Sequence, residues 1–263
     1  MKYEISKTLL QTLTIDLDVN ESIYSQTAMM AWMNAAMTMN THNEGGFFAG
    51  LKRSLSGGSF FVTEFVSTGS GQITFAPKFP GQILAKVLAA GESLICRKDS
   101  FLCAEKSVVF DVALQQGFGA GLFGGEGFIL QKITGPGTVW LDLSGNVVEK
   151  DLQAGEMLMV HAGHIGVQTP TVSFNVKMVR GFRNIIFGGE GLFLVELMGP
   201  GKVWLQSMPI MNLAEEIGRY LPNTQAVNTA AGAGIGGVAG GMLGGQTGSI
   251  VGGILGGILG NNE

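Results

Sequence analysis

The hydrophobic positions of this chain fall into short runs rather than long, helically spaced stripes. Phe60–Val66, Phe128–Ile133 and Leu192–Leu197 are rich in aromatic and β-branched residues and have glycines nearby on either side. Runs of that length and composition predict β-strands. Apolar residues occupy both alternating faces of each run, the pattern of strands covered on both sides. Three charges interrupt the pattern at one equivalent position: Glu64, Lys132 and Glu196.

The equivalence comes from an internal repeat. GFGAGLFGGEGFILQKITGPGTVWL, from Gly117, aligns without a gap to GFRNIIFGGEGLFLVELMGPGKVWL, from Gly181, a spacing of 64 residues. A weaker copy begins near Leu55, with LSGGSFFVTEFVSTGSGQITF. The other half of the unit recurs at the same spacing, from Leu88 and from Leu152, with Gly91-Glu92 matching Gly155-Glu156. After Trp204 the third unit lacks this half. The N-terminus carries a related stretch, Asn20-Glu21-Ser22-Ile23-Tyr24.

A period this long indicates a repeat architecture. The units are read as residues of about 53–116, 117–180, and 181–207 completed by 1–35. Pairing of the last half-unit with the first would close the chain and leave few free strand edges. The expectation is an all-β body of three units, closed with pseudo-threefold symmetry over residues 1–207, within a β domain of 1–222. Residues 223–263 form a separate tail. In that frame Glu64, Lys132 and Glu196 are either solvated strand ends or a ring of charge around the pseudo-threefold axis, partly neutralised by Lys132.

Composition narrows the function. The chain has 263 residues, enough to bury a sizeable core. Its 16 basic and 20 acidic residues give a net charge of −4, which speaks against nucleic acid as a main partner. High glycine, 42 residues, with only 14% charged residues argues for tight turns rather than a disordered chain. The N-terminal MKYEISKTLLQTLTIDLDV shows no secretory pattern. Cys96 and Cys103 fit no metal spacing, and their repeat counterparts are Val160 and Val167. They read as buried strand thiols in a reducing, cytoplasmic protein.

Candidate chemistry is thin. The FGGEG loops, Phe123–Gly127 and Phe187–Gly191, and the Gly-Pro-Gly loops, 135–137 and 199–201, resemble phosphate cradles only superficially. A phosphate loop leads into a helix, whereas strands follow here, so corner turns are the better reading. His161-Ala162-Gly163-His164, with His42, is the one histidine cluster. Its spacing does not fit a cupin-type metal site, and its counterparts one unit earlier are Arg97 and Ser100. No nucleophile–base arrangement or carboxylate pair stands out. The expectation is a protein that is not an enzyme and has no cofactor and no metal.

A wider set of residues resembles a known family. The starting MKYEI, the Ala28-Met29-Met30-Ala31-Trp32-Met33 stretch, GFFAGLKR at 46–53, Leu55-Ser56-Gly57-Gly58, the FGGEG loops, Ala162-Gly163-His164 and the closing GPGKVWLQS together resemble the altered-inheritance-of-mitochondria protein 24 family. The resemblance covers roughly residues 1–207. It implies a fold similar to the tryptophan RNA-binding attenuator protein: three tandem modules, each a short double-stranded β-helix or sandwich. It implies no reaction, cofactor or catalytic residue, and its mitochondrial members imply a scaffold linked to membrane organisation. The chain departs from the family in its glycine-rich tail and in FGGEG where Phe-Ser-Gly-Glu-Gly is usual.

The tail has its own pattern. From Leu221 to Asn262 no charged residue occurs, and glycine falls at Gly232, Gly236, Gly240, Gly244, Gly248, Gly252, Gly256 and Gly260. In a helix these share one face, the small-xxx-small pattern of close helix packing in membranes. Each glycine costs about 1 kcal/mol relative to alanine in water, so such a helix needs lipid or another helix. About 29 residues would reach roughly 43 Å, beyond a ~30 Å hydrocarbon core. A break at Gln246–Ser249 also allows a helical hairpin, and a disordered tail is the competing reading.

Together these features lead to a non-enzymatic scaffold or binding protein that self-associates as a homo-oligomer. It sits in the cytoplasm, peripheral to or anchored in the membrane by its tail, with a membrane or membrane protein as partner. The alternatives are a ligand- or nucleic-acid-binding module of attenuator-like fold and, last, a cupin-like metal enzyme.

Overall fold

A computed structural model describes residues 1–26, 28–40, 62–116, 128–178 and 193–220. The chain is predominantly β, in several antiparallel sheets, as the short apolar runs predict. Its strands fall into three successive sets. The first is β1 (Lys2–Ile5), β2 (Leu13–Leu17), β3 (Ser22–Gln26), β4 (Met30–Met33), β5 (Met37–Asn40), β6 (Val62–Ser67) and β7 (Gly71–Phe75). The second is β8 (Gly81–Leu88), β9 (Ser93–Arg97), β10 (Phe101–Glu105), β11 (Val109–Gln116), β12 (Phe128–Thr134) and β13 (Gly137–Ser144). The third is β14 (Val147–Leu152), β15 (Met157–His161), β16 (Ile165–Gln168), β17 (Ser173–Met178), β18 (Phe193–Met198) and β19 (Gly201–Gln206). Helix α1 (Ile210–Tyr220) follows.

Partners recur in the same order. With β1, which pairs with β2, left aside, each set has six strands, and the last lies between the first and third: β2-β7-β4, β8-β13-β10 and β14-β19-β16. The fifth strand lies between the second and fourth: β3-β6-β5, β9-β12-β11 and β15-β18-β17. Adjacent sets are sewn together by β3 pairing with β10 and by β9 pairing with β16. Among the described residues four sheets result, two of six strands in the middle, one of four at the start and one of three at the end.

Each neighbouring pair of sheets encloses a core. Leu13, Ile15, Phe75, Ile23, Leu102 and Trp140 fill the first, between the first and second sheets. Phe101, Val139, Leu141, Leu94, Cys96 and Val167 fill the second. Leu130, Ile165, Val203, Val160, Val195 and Leu197 fill the third. Trp140 and Leu141 are neighbours on one strand yet serve different cores, because successive side chains point to opposite faces. This is why both alternating faces read as apolar.

One turn is built the same way three times. Asn20, Gly91 and Gly155 have φ of 67°, 82° and 81°, the left-handed region that a turn of this kind requires at its third residue. The next residue, Glu21, Glu92 or Glu156, folds its carboxylate back to accept the N–H three residues earlier, at 2.8–2.9 Å. Its carbonyl then accepts an N–H from the chain entering the set's last strand, from Ser67, Gly135 or Gly199. The Gly-Pro-Gly segments are corners: 135–137 carries the chain from β12 in the third sheet to β13 in the second.

The expected phase of the repeat is corrected. Residues 181–207 are not completed by residues 1–35: β18 and β19 pair with β14–β17, and β2–β5 pair with β6 and β7. A repeat defines a period but not where to cut it, and sequence-adjacent halves pair because short connections bring them together at least entropic cost. Among the described residues the expected closure is not made either: β4 ends the first sheet and β15 ends the fourth. The FGGEG loops, His42, residues 46–53 and 55–58, and the tail glycines lie outside the described residues.

Gly155→Ala isolates the turn's conformational demand, because a Cβ there meets nothing within 4 Å. It should cost about 1 kcal/mol, lowering Tm by roughly 2–4 °C in thermal melts. Gly155→Asn should cost less, since asparagine already fills this place at Asn20.

Candidate functional site

Among the described residues, two strand edges lack the junction partner that their counterparts have. β4, β10 and β16 pair with the last strand of their sets through one pattern, with a register shift after the first residue. Met30, Trp32 and Met33 face Phe75, Thr74 and Ile73 as Phe101, Cys103 and Ala104 face Leu141, Trp140 and Val139. Trp32 thus corresponds to Cys103 and Val167. Those two are fully buried at the junctions, whereas Trp32 is 58% exposed.

The other end shows the converse. Tyr24 on β3 and Ile95 on β9 face the charged position of the neighbouring strand, Glu64 and Lys132. Met159 on β15 faces Glu196 in the same way. Tyr24 is 1% exposed, because β10 covers that edge, whereas Met159 is 45% and Met157 50% exposed. An unpaired edge presents free N–H and C=O groups, a surface suited to accepting a further strand.

Glu64, Lys132 and Glu196 stand at one register position on three different sheets. Their environments differ: Glu64 is buried and paired with Lys106 at 2.9 Å, Lys132 is exposed, and Glu196 pairs with Lys177. The capping glutamates that recur are Glu21, Glu92 and Glu156. Their signal was the Gly-Glu or Asn-Glu dipeptide ahead of a strand.

The histidines serve the corner between β15 and β16. Their rings meet edge-on with centroids 5.9 Å apart, and His164 Nδ1 lies 2.8 Å from the carbonyl oxygen of Gln206. Gln206 donates its amide to the Gly163 carbonyl and accepts the Ser144 N–H. Arg97, the counterpart of His161, reaches across the β9–β16 junction to the same Gly163 carbonyl, at 3.3 Å. Among the described residues no group of three or more His, Cys, Asp or Glu is placed to hold a metal ion. Cys96 and Cys103 are free, fully buried strand residues, and burial pushes both thiols far up from their ordinary range. Such thiols are poor nucleophiles.

Asp142 is a buried acid that sequence reading missed. It stands 64 residues before Gln206, but the counterpart of Ser144 is Pro80, which has no N–H to offer. Its Oδ1 has no hydrogen-bond partner, and burial pushes its pKa up to about 7, with Lys78 opposing. Signal for it existed only in the comparison of Pro80 with Ser144.

These features define a predominantly β protein whose sheets are built and joined by strand pairing, with β4 and β15 left without junction partners among the described residues. Residues 3–208 match the family described as mitochondrial biogenesis AIM24, and the chain belongs to that family. An uncharacterized protein of Streptococcus pyogenes serotype M6 is 31% identical over 234 residues, covering 85% of this chain and 92% of that protein. An X-ray crystal structure of a Streptococcus pyogenes protein is similar with a TM-score of 0.68 and 26% identity, over 84% of this chain and 99% of the other. The resemblance read from the motifs is borne out.

The Asp142 carboxyl binds its proton more tightly in the fold than in the unfolded chain, so stability falls as pH rises from about 4 to about 7. The slope is at most about 1.4 kcal/mol per pH unit. Asp142→Asn removes it. Melting curves should show the variant gaining several °C over the parent at pH 8 and losing that advantage near pH 5. A gain that is the same at both pH values would refute the assignment.

Proposed function

We propose that the protein is a non-catalytic scaffold made of three tandem attenuator-like β modules, one per strand set. It self-associates and is held at a membrane by its glycine-striped tail. The observation that carries this reading is strand addition: the β3–β10 and β9–β16 pairings join consecutive sets, so the body is an assembly of like parts. The buried polar groups near the histidines and Arg97 tie turns together, which suits a rigid body better than a reacting site. Self and a membrane or membrane protein are the partners this chemistry fits, with the cytoplasmic face as the location.

No helix among the described residues is long and apolar enough to cross a membrane. The membrane reading therefore rests on the glycine spacing between Gly232 and Gly260 and on the absence of charge there. Fractionation of cells producing the full chain, or the chain ending at Pro222, tests it. The full chain should sediment with membranes and resist a high-salt wash, and the shortened chain should stay in the supernatant. A full chain found wholly in the supernatant defeats the membrane role.

A further inference from the structure

We infer that β15 of one copy pairs, antiparallel, with β4 of a second copy, completing a sheet ordered β17-β18-β15-β4-β7-β2. The inference rests on the self-association just proposed and names its surface. The two middle sheets supply the template. Each is made of a second, fourth and fifth strand from one set and a first, third and last strand from the next, joined between second and third strands. The fourth sheet is the first half of this arrangement, β17-β18-β15. The first sheet, apart from β1, is the other half, β4-β7-β2. The edges of the middle sheets, β5, β8, β11 and β14, also end their sheets, so they are ordinary boundaries. Among the described residues β4 and β15 lack the junction partner that their counterparts have, and β1 is an extra strand beside β2 with no equivalent at β8 or β14.

Side chains favour the same match. Trp32 and Met159 are exposed large apolar residues on these two edges, at positions whose counterparts are paired in the junctions. Within one chain they face solvent, which selects a second copy over closure of the chain on itself. The register follows from the template. Cys103 faces Ser25 and Ala104 faces Tyr24; Val167 faces Cys96 and Gln168 faces Ile95. By correspondence, Trp32 of the second copy faces Val160, and its Met33 faces Met159. Each copy carries one edge of each kind, so contacts run head to tail, closing into a ring if the rotation permits or extending as a run.

A chain carrying Met33→Cys and Met159→Cys, solubilised in detergent and oxidised, tests the register. Cys96 and Cys103 are buried and should not compete. Reducible bands at multiples of the 27.6 kDa chain are expected. A disulfide formed within a single chain, or none in a variant that melts like the parent, overturns the pairing. Sedimentation of Met33→Lys separates the two readings. Reduction of the parent's assembly to single chains, with recovery on adding Met159→Glu, supports the edge. An assembly that Met33→Lys leaves intact places self-association elsewhere and refutes only the edge. A parent that is a single chain at every concentration refutes both.

Discussion

A β-strand carries two rows of backbone donors and acceptors, and every row buried without a partner costs free energy comparable to lost hydrogen bonds. How this chain supplies partners for those rows governs the rest of its structure. Within a set, the last and fifth strands are each flanked on both sides. The second and third strands are flanked on one side only within their set, and at β3–β10 and β9–β16 each supplies the other's missing neighbour. Joining sets is thus a backbone requirement, and the side chains of the junction adapt to it. Small or slim residues, Cys103, Ala104 and Val167, stand where another strand presses close.

Sharing strands in this way makes the two middle sheets interior on both faces. Phe101 and Leu102 are consecutive, yet one fills the second core and the other the first. Glycine is used where backbones meet: a Cβ on Gly135 would come within 2.5 Å of the Ala89 carbonyl oxygen. The fold therefore needs apolar strands without a polar face, and turns that waste no space. The first demand agrees with a chain that is 46% hydrophobic and only 14% charged.

The predominantly β class and the strand runs were legible because each rests on local chemistry repeated along the chain. The Asn20 turn was legible too, since asparagine tolerates the left-handed region almost as well as glycine. The phase of the repeat was not. Period-64 similarity is unchanged by where the unit is cut, and only hydrogen bonding between β2–β5 and β6–β7 decides it. Asp142 escaped notice because its environment is set by what Pro80 lacks, and a missing N–H leaves no mark in a pattern of residue types. The histidine cluster drew attention by composition, whereas its place is that of Arg97 in a corner.

Because Trp140 and Leu141 anchor two cores from one strand, neither core can melt without stripping a face of its neighbour. Cooperativity is then a nearest-neighbour property, as in solenoids, while each set is still made from contiguous sequence. The middle core is buttressed on both sides and the outer two on one. Local opening should therefore run inward from the ends, with amides of the first and fourth sheets exchanging with solvent before those of the third. A body built this way is loosest at its terminal strands and most rigid in the middle, where the sheets are shared.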